Sequence, residues 1–112
     1  MKEEAKEILS KVQIQNQQLQ AILIQKQTLE MQEREISNAL EEIDKSSSDV
    51  YKNVGPILVK STKQQIKKEL DEKKEEIELK LKTIESQEKK ITEKLKENQE
   101  KLQDMVSPGK GG

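Results

Sequence analysis

The sequence predicts a mainly α-helical protein, in which two long helices form an antiparallel coiled-coil hairpin with one central β-hairpin. Three observations support this fold class. Apolar residues recur at seven-residue spacing in both halves of the chain, which is typical of a coiled-coil seam. Gly and Pro are absent from residues 1–54. The middle stretch, Asp44–Thr62, combines consecutive serines, β-branched residues and a Gly-Pro pair, which favours a turn between two short strands.

The composition limits the kind of core that the chain can build. Its 112 residues suit a single domain, residues 1–112, but only 30% are apolar and 1% aromatic. Ordering the backbone costs roughly 1–2 kcal/mol per residue, so the apolar groups must lie in a narrow seam or be covered by partner chains. The net charge of −1 gives no reason to expect a nucleic acid or an anionic membrane as a partner.

The residue types also argue against a catalytic or metal site. The sequence has no Cys and no His, and its glycines lie in one turn and in the C-terminal tail. The carboxylates alternate with lysines as they do on a solvated helix face. We therefore expect no enzymatic activity and no cofactor. The polar N-terminus and the absence of an apolar run near the roughly 20 residues of a membrane span indicate a cytoplasmic protein.

Residues 1–45 predict the first coiled-coil helix. The seven-residue column contains Ile8, Ile22, Leu29, Ile36 and Ile43, with Gln15 interrupting it. A second column, four residues on, contains Val12, Leu19 and Leu40, with Lys26 and Glu33 interrupting it. A strict repeat of seven implies a left-handed supercoil. Several apolar residues lie outside both columns, which predicts contacts with further subunits or an exposed apolar surface. They are Leu9, Ile14, Leu23, Ile24 and Met31.

Residues 46–61 predict the β-hairpin. Val54-Gly55-Pro56 supplies the turn, since Gly tolerates a positive φ and Pro fixes its own. An isolated two-stranded hairpin is marginal in water and leaves both edges unpaired. We therefore expect several hairpins to join an intersubunit β-barrel, the alternative being a simple helix–loop–helix connection. The residues assigned to subunit assembly are Val50, Tyr51, Val54, Ile57, Leu58 and Val59.

Residues 62–106 predict the second coiled-coil helix. Ser61 with Gln64, or Thr62 with Gln65, matches the capping-box pattern at its start. One column contains Leu70, Ile77, Ile84, Ile91, Asn98 and Met105. The other contains Leu81, Leu95 and Leu102, with Lys74 and Glu88 interrupting it. Residues 107–112 are expected to form a disordered tail.

The two sets of columns also predict a register between the helices. The predicted rungs are Ile36 with Leu70, Leu29 with Ile77 and Ile22 with Ile84. The same register sets Glu33 near Lys74. Farther from the hairpin it places Gln15 opposite Ile91, so the coiled coil should be tight near the hairpin and looser at the free ends.

The hairpin segment carries a family resemblance. VYKNVGPILVKST, residues 50–62, resembles the hairpin of the beta-type prefoldin subunits, which have a Tyr-Lys before the turn, a Gly near its centre and an apolar strand after it. Residues 25–32 resemble the first helix of this family, and residues 83–88 resemble the second. Alpha-type subunits insert two hairpins, whereas residues 46–61 leave room for one. The resemblance covers essentially the whole chain and points to an archaeal beta subunit.

The resemblance implies a function. Prefoldin-like proteins are ATP-independent chaperones that bind unfolded polypeptides at the coiled-coil tips and deliver them to a group II chaperonin. The resemblance further implies a hexamer of two alpha and four beta subunits. The implied client-binding residues are Ile8, Leu9, Val12, Ile14, Leu102, Met105 and Val106. Of these, Leu9, Ile14 and Val106 lie off the seam and are the better candidates for client contact, whereas Ile8, Val12 and Leu102 suit the seam equally well.

Two other classes of function fit the sequence less well. A homo-oligomeric coiled-coil spacer or adaptor would explain the heptads equally well. It would not explain the β-prone interruption at mid-chain or the apolar free ends. A nucleic-acid-binding role lacks both a basic face and interleaved aromatic side chains.

Overall fold

The structure, a computed structural model, describes residues 2–106. Helix α1 spans Glu3–Lys45, strand β1 Val50–Val54, strand β2 Ile57–Ser61 and helix α2 Lys63–Val106. The strands pair antiparallel in a two-stranded sheet. The predicted fold of two long helices with one central β-hairpin is therefore confirmed. The tail expected at residues 107–112 lies outside the described residues.

The chain forms two compact units, which are described separately. The hairpin unit is Gln27–Lys82, and the terminal unit combines the residues up to Lys26 with those from Thr83 onward. Buried side chains of the hairpin unit are Ile36, Ile66, Ile77 and Leu81, and those of the terminal unit are Ala5, Val12, Ile22 and Leu95. All of them except Ile66 lie in the heptad columns. The single-domain assignment stays a prediction.

The core of the hairpin unit is a small cluster between the two helices. Ile36, Ile77 and Leu81 are buried there. The half-buried side chains of Leu29, Leu40 and Leu70 pack against this cluster. Among the described residues no side chain is completely buried. The core is thus a seam one side chain wide, as the small apolar fraction predicts.

The turn and the start of α2 use the residues that the sequence singles out. Gly55 has a φ of +61°, and the Pro56 ring fixes a negative φ. A positive φ followed by a negative one is typical of the type II′ turn, which needs Gly at its first central position. At the start of α2 the backbone N–H of Gln65 donates to Thr62 Oγ1 at 3.1 Å. Thr62 is therefore the N-cap, so the second of the two predicted capping pairs is the one formed.

The predicted register of the terminal unit is wrong by one heptad. Asn98 Nδ2 donates to Gln15 Oε1 at 3.1 Å, whereas the predicted register sets Gln15 opposite Ile91. Lys26 Nζ lies 3.0 Å from Glu88 Oε1, and both side chains are partly buried. The polar residues that interrupt the apolar columns therefore face one another. Each of these two rungs is joined by a hydrogen bond between side chains of opposite helices.

In the hairpin unit, Ile36 clusters with Ile77, and their predicted partners Leu70 and Leu29 pack against the same cluster. The predicted proximity of Glu33 and Lys74 gives no ion pair within residues 2–106. The hairpin supplies the physical reason. Its register pairs Val54 with Ile57, which centres the reversal of the chain between Gly55 and Pro56. The predicted rungs assume that the chain reverses earlier in the sequence. In the nearest alignment that still sets apolar columns against each other, each α1 residue faces an α2 residue seven positions further along.

Candidate assembly and binding surfaces

The hairpin presents two faces of different composition. Cross-strand partners project on the same side of a sheet, and neighbours along a strand on opposite sides. One side, here called the valine face, carries Val50, Lys52, Val54, Ile57, Val59 and Ser61. The other, here called the tyrosine face, carries Tyr51, Asn53, Leu58 and Lys60. The residues assigned to subunit assembly are therefore divided between two surfaces.

Most of these apolar hairpin residues are in solvent. The exposed fractions are 50% for Tyr51, 52% for Val54, 61% for Ile57, 62% for Leu58 and 40% for Val59, while Val50 is half-buried. Both strands are edge strands, because the sheet has only two. Unpaired strand edges next to exposed apolar side chains form a surface on which a further strand can add.

An ion pair connects the hairpin to α2. Lys52 Nζ lies 2.9 Å from Glu69 Oε1, and Gln65 Nε2 donates to the same oxygen at 3.1 Å. The hydrogen bond from Lys52, and after it the one from Gln65, lowers the pKa of the Glu69 carboxyl below its usual value. The contact joins β1 to the second turn of α2, so it bears directly on the orientation of the hairpin.

Two further lysines, both in α2, contact residues at the C-terminal end of α1. Lys67 Nζ lies 2.7 Å from Asp44 Oδ1, which raises the pKa of Lys67 above its usual value. Lys63 Nζ donates to the backbone carbonyl of Ser46. Both ammonium groups thus lie near the C-terminal end of α1, where the helix dipole favours positive charge. Sequence reasoning missed these contacts, although the spacing of two lysines four residues apart at the start of α2 was a usable signal.

The expected client-binding residues of the terminal unit differ in how far their side chains are buried. Val12 is buried, as are Ala5 and Leu95 of the same unit. Ile8, Leu9 and Leu102 are half-buried. Exposed fractions are 52% for Ile14, 44% for Met105 and 52% for Val106. The exposed members are therefore concentrated at the end of α2, with Ile14 on α1.

An open groove lies between the start of α1 and the end of α2. It is lined by Lys2, Glu4, Ala5, Met105 and Val106. Its apolar part is formed by the last three of these, and one lysine and one glutamate complete the lining. Such a lining suits an apolar side chain from another molecule, with polar groups on either side of it.

The described residues show neither a metal site nor a membrane span. Within residues 2–106, no group of three or more acidic side chains is arranged to hold a metal ion. In the same range, no helix is both long and apolar enough to cross a membrane.

Comparison with known proteins identifies relatives over part of the chain. The family model for prefoldin subunits matches residues 6–108. The chain is 37% identical over 59 residues to the prefoldin subunit beta of Methanosarcina acetivorans, and 40% identical over 60 residues to that of Pyrococcus furiosus. These alignments cover 51% and 52% of the chain, and 50% and 51% of the relatives. The chain thus spans about half the length of the curated relatives it matches.

Solved structures match over more of the chain. The crystal structure of the prefoldin beta subunit from Thermococcus strain KS-1 superposes with a TM-score of 0.90 and 38% identity, covering 96% of both chains. The prefoldin beta2 subunit from the same strain has a TM-score of 0.73 over 80% of this chain and 97% of that one, and its 23% identity supports the fold alone. The resemblance drawn from the hairpin segment is confirmed. The chain belongs to the prefoldin subunit family.

Proposed function

We propose that this chain is a beta-type subunit of an ATP-independent chaperone, which binds unfolded polypeptides at the free ends of its helices and delivers them to a group II chaperonin. The observation that carries the proposal is where the exposed apolar side chains lie. Of the eleven exposed large apolar side chains among the described residues, seven lie on the hairpin or at the end of α2, where Met105 and Val106 lie open. The other four are Ile14, Ile24, Met31 and Leu79. The hairpin and the end of α2 are the two places where such a subunit needs to contact other chains.

The hairpin supports assembly with other prefoldin subunits. Leu58 and Ile57 are each more than half exposed, and fully burying a side chain of this size contributes about 1.5–3 kcal/mol. Strand pairing at the open edges would add backbone hydrogen bonds to that burial. The proposed assembly is a hexamer of two alpha and four beta subunits, joined through a β-barrel of hairpins.

The free helix ends support client binding. Met105 and Val106 line the open groove beside Ala5, and the flexible thioether of methionine packs against apolar groups of many shapes. Non-native polypeptides expose such groups in no fixed sequence. Contacts that are weak at one subunit add up across several subunits through effective concentration. No single strong site is therefore needed. The proposed place of action is the cytoplasm.

Client binding is tested by removing the apolar side chains at the ends. The fourfold variant Leu9→Ser, Ile14→Ser, Met105→Ser and Val106→Ser should lose most suppression of aggregation of a denatured model client, measured by light scattering with an alpha-type subunit present. Met31→Ser is the matched control, because Met31 is a similarly exposed apolar residue of α1 in the hairpin unit. Full suppression by the fourfold variant, with assembly intact, would contradict the proposed site.

Assembly and delivery need separate measurements. Light scattering after size-exclusion chromatography should show a defined hetero-hexamer when the chain is mixed with an alpha-type subunit. A homodimer that does not bind the alpha subunit would instead support a coiled-coil spacer.

If the complex delivers its client, a group II chaperonin should take up labelled client from it without ATP hydrolysis by the complex itself. A client that stays on the complex would refute this step.

A further inference from the structure

The ion pair of Lys52 indicates which face of the hairpin is turned toward α2. Lys52 lies on the valine face, directly across from Val59. Its ammonium group reaches Glu69 on α2 at 2.9 Å. A side chain that projects from one face and bonds to α2 requires that this face is turned toward the helix.

The exposure of the hairpin residues agrees with this orientation. Val50 is half-buried, and Val59 is the least exposed of the five exposed apolar residues. Both lie on the valine face beside Lys52. Tyr51 and Leu58, on the tyrosine face, are at least half exposed, and so are Val54 and Ile57 at the turn end of the valine face. The chain therefore partly covers the valine face near its own helix and presents the tyrosine face to solvent.

We propose that Lys52, Glu69 and Gln65 form an orientation latch, which fixes the angle at which the hairpin is presented to the hairpins of other prefoldin subunits. This inference rests on the proposed assembly through the hairpin. The three side chains are positioning residues. Gln65 holds the Glu69 carboxylate in place through its own hydrogen bond at 3.1 Å, and the carboxylate then holds Lys52.

The latch is suited to orienting the hairpin more than to stabilising the fold. The Lys52 and Glu69 side chains are 38% and 40% exposed, and an ion pair with that much solvent contact adds little to overall stability. Closing a ring of strands, however, requires every hairpin to arrive at the same angle. Because each copy of the chain carries its own latch, a small loss per copy multiplies across the assembly.

Charge reversal and charge exchange test the latch in assembly. Lys52→Glu and Glu69→Lys should each weaken assembly with an alpha-type subunit about tenfold, while helix content measured by circular dichroism stays unchanged. The exchanged double variant should return to within about threefold of the wild type, and Lys52→Arg should assemble normally. Reversing Glu76 or Lys80, an exposed ion pair on the same helix, is the matched control and should leave assembly unchanged.

A second measurement reads the latch without any partner. The sequence has no Cys, so spin labels can be placed at Asn53→Cys and Glu72→Cys and their separation measured by electron paramagnetic resonance. The distance distribution should be narrow in the wild type, broad in Glu69→Lys and narrow again in the exchanged double variant.

The two readouts separate failure of the latch from failure of the proposed function. A distance distribution that Glu69→Lys leaves unchanged would overturn the latch, as would single variants that assemble like the wild type. An exchanged variant no better than either single variant would overturn it too. If the wild-type chain does not assemble with any alpha-type subunit, the proposed function fails, and the label distances still decide whether the latch exists.

Discussion

The side chain of Asn98 donates a hydrogen bond to the side chain of Gln15 across the seam, at 3.1 Å. Both residues occupy heptad positions that would otherwise hold apolar side chains. Their hydrogen bond gives each amide one partner in a partly buried place, where an unpaired amide would cost about 1–3 kcal/mol. A polar rung of this kind also specifies the register of a coiled coil, at some cost in stability.

Replacing one partner of this rung should therefore cost more than replacing both. Asn98→Leu should destabilise the chain by about 1 kcal/mol in urea unfolding at fixed protein concentration, because the Gln15 amide loses its partner. The double variant Gln15→Leu, Asn98→Leu should be at least as stable as the wild type, since two apolar groups then meet. A double variant less stable than Asn98→Leu alone would contradict the pairing.

The core of the hairpin unit should be sensitive at Ile77. This side chain is only 3% exposed, and Ile77→Ala leaves a cavity beside Ile36 and Leu81, with an expected loss of about 2–4 kcal/mol. Leu79→Ala on the same helix is the control, because Leu79 is 62% exposed and surface substitutions usually change stability by about 0.5 kcal/mol or less. Thermal unfolding of the two variants should separate them clearly, and equal losses would argue against this seam.

The turn should depend on the conformation of Gly55 more than on space around it. Its φ is +61°, and beyond Gly55 and its two chain neighbours no heavy atom of the described residues lies within 4 Å of where a Cβ would be. Gly55→Ala should therefore cost about 1 kcal/mol in backbone strain alone. We expect the Val54 and Ile57 amides to exchange hydrogen about fivefold faster, whereas Asn53→Ala, in the neighbouring strand, should have a smaller effect. Unchanged exchange in Gly55→Ala would mean that the turn does not require a positive φ.

The contacts of Glu69 with Lys52 and of Lys67 with Asp44 are expected to stabilise the protein only within a limited range of pH. The hydrogen bonds from Lys52 and then from Gln65 lower the pKa of Glu69 below 4.5. The stability that this contact contributes is therefore present above pH 4.5, and it is lost as the pH falls through the lower pKa of Glu69 in the folded state. Asp44 raises the pKa of Lys67 above 10.5, so that contribution is present below pH 10.5 and is lost as the pH rises through the higher folded value.

Nuclear magnetic resonance titration can check the acidic limit. The Glu69 carboxyl should titrate below its usual range in the wild type, and Lys52→Gln should shift its pKa back upward, because the largest cause of the shift is removed. Lys80→Gln serves as the control, since Lys80 pairs with Glu76 instead. A Glu69 pKa that does not respond to Lys52→Gln would show that the ion pair does not form in solution.

The helices and the hairpin could be predicted from sequence because their signals are local. Seven-residue spacing marks each helix by itself, and the β-branched runs around Gly55-Pro56 mark the hairpin. The register could not be read in this way. Shifting one helix by a heptad still sets apolar columns against each other, and only the centre of the hairpin turn selects one alignment. The Lys52–Glu69 and Lys67–Asp44 contacts also escaped prediction, because they join side chains from different elements.

The narrow seam has a mechanical consequence for each unit. No described side chain is completely buried, so the packing in each unit is spread along the helices, and the cluster of Ile36, Ile77 and Leu81 in the hairpin unit is small. Each layer along a pair of helices touches mainly the layers above and below it. Unzipping can therefore proceed gradually, so that the ends near Ala5 and Met105 can part and close again while the layers deeper in the same unit stay joined.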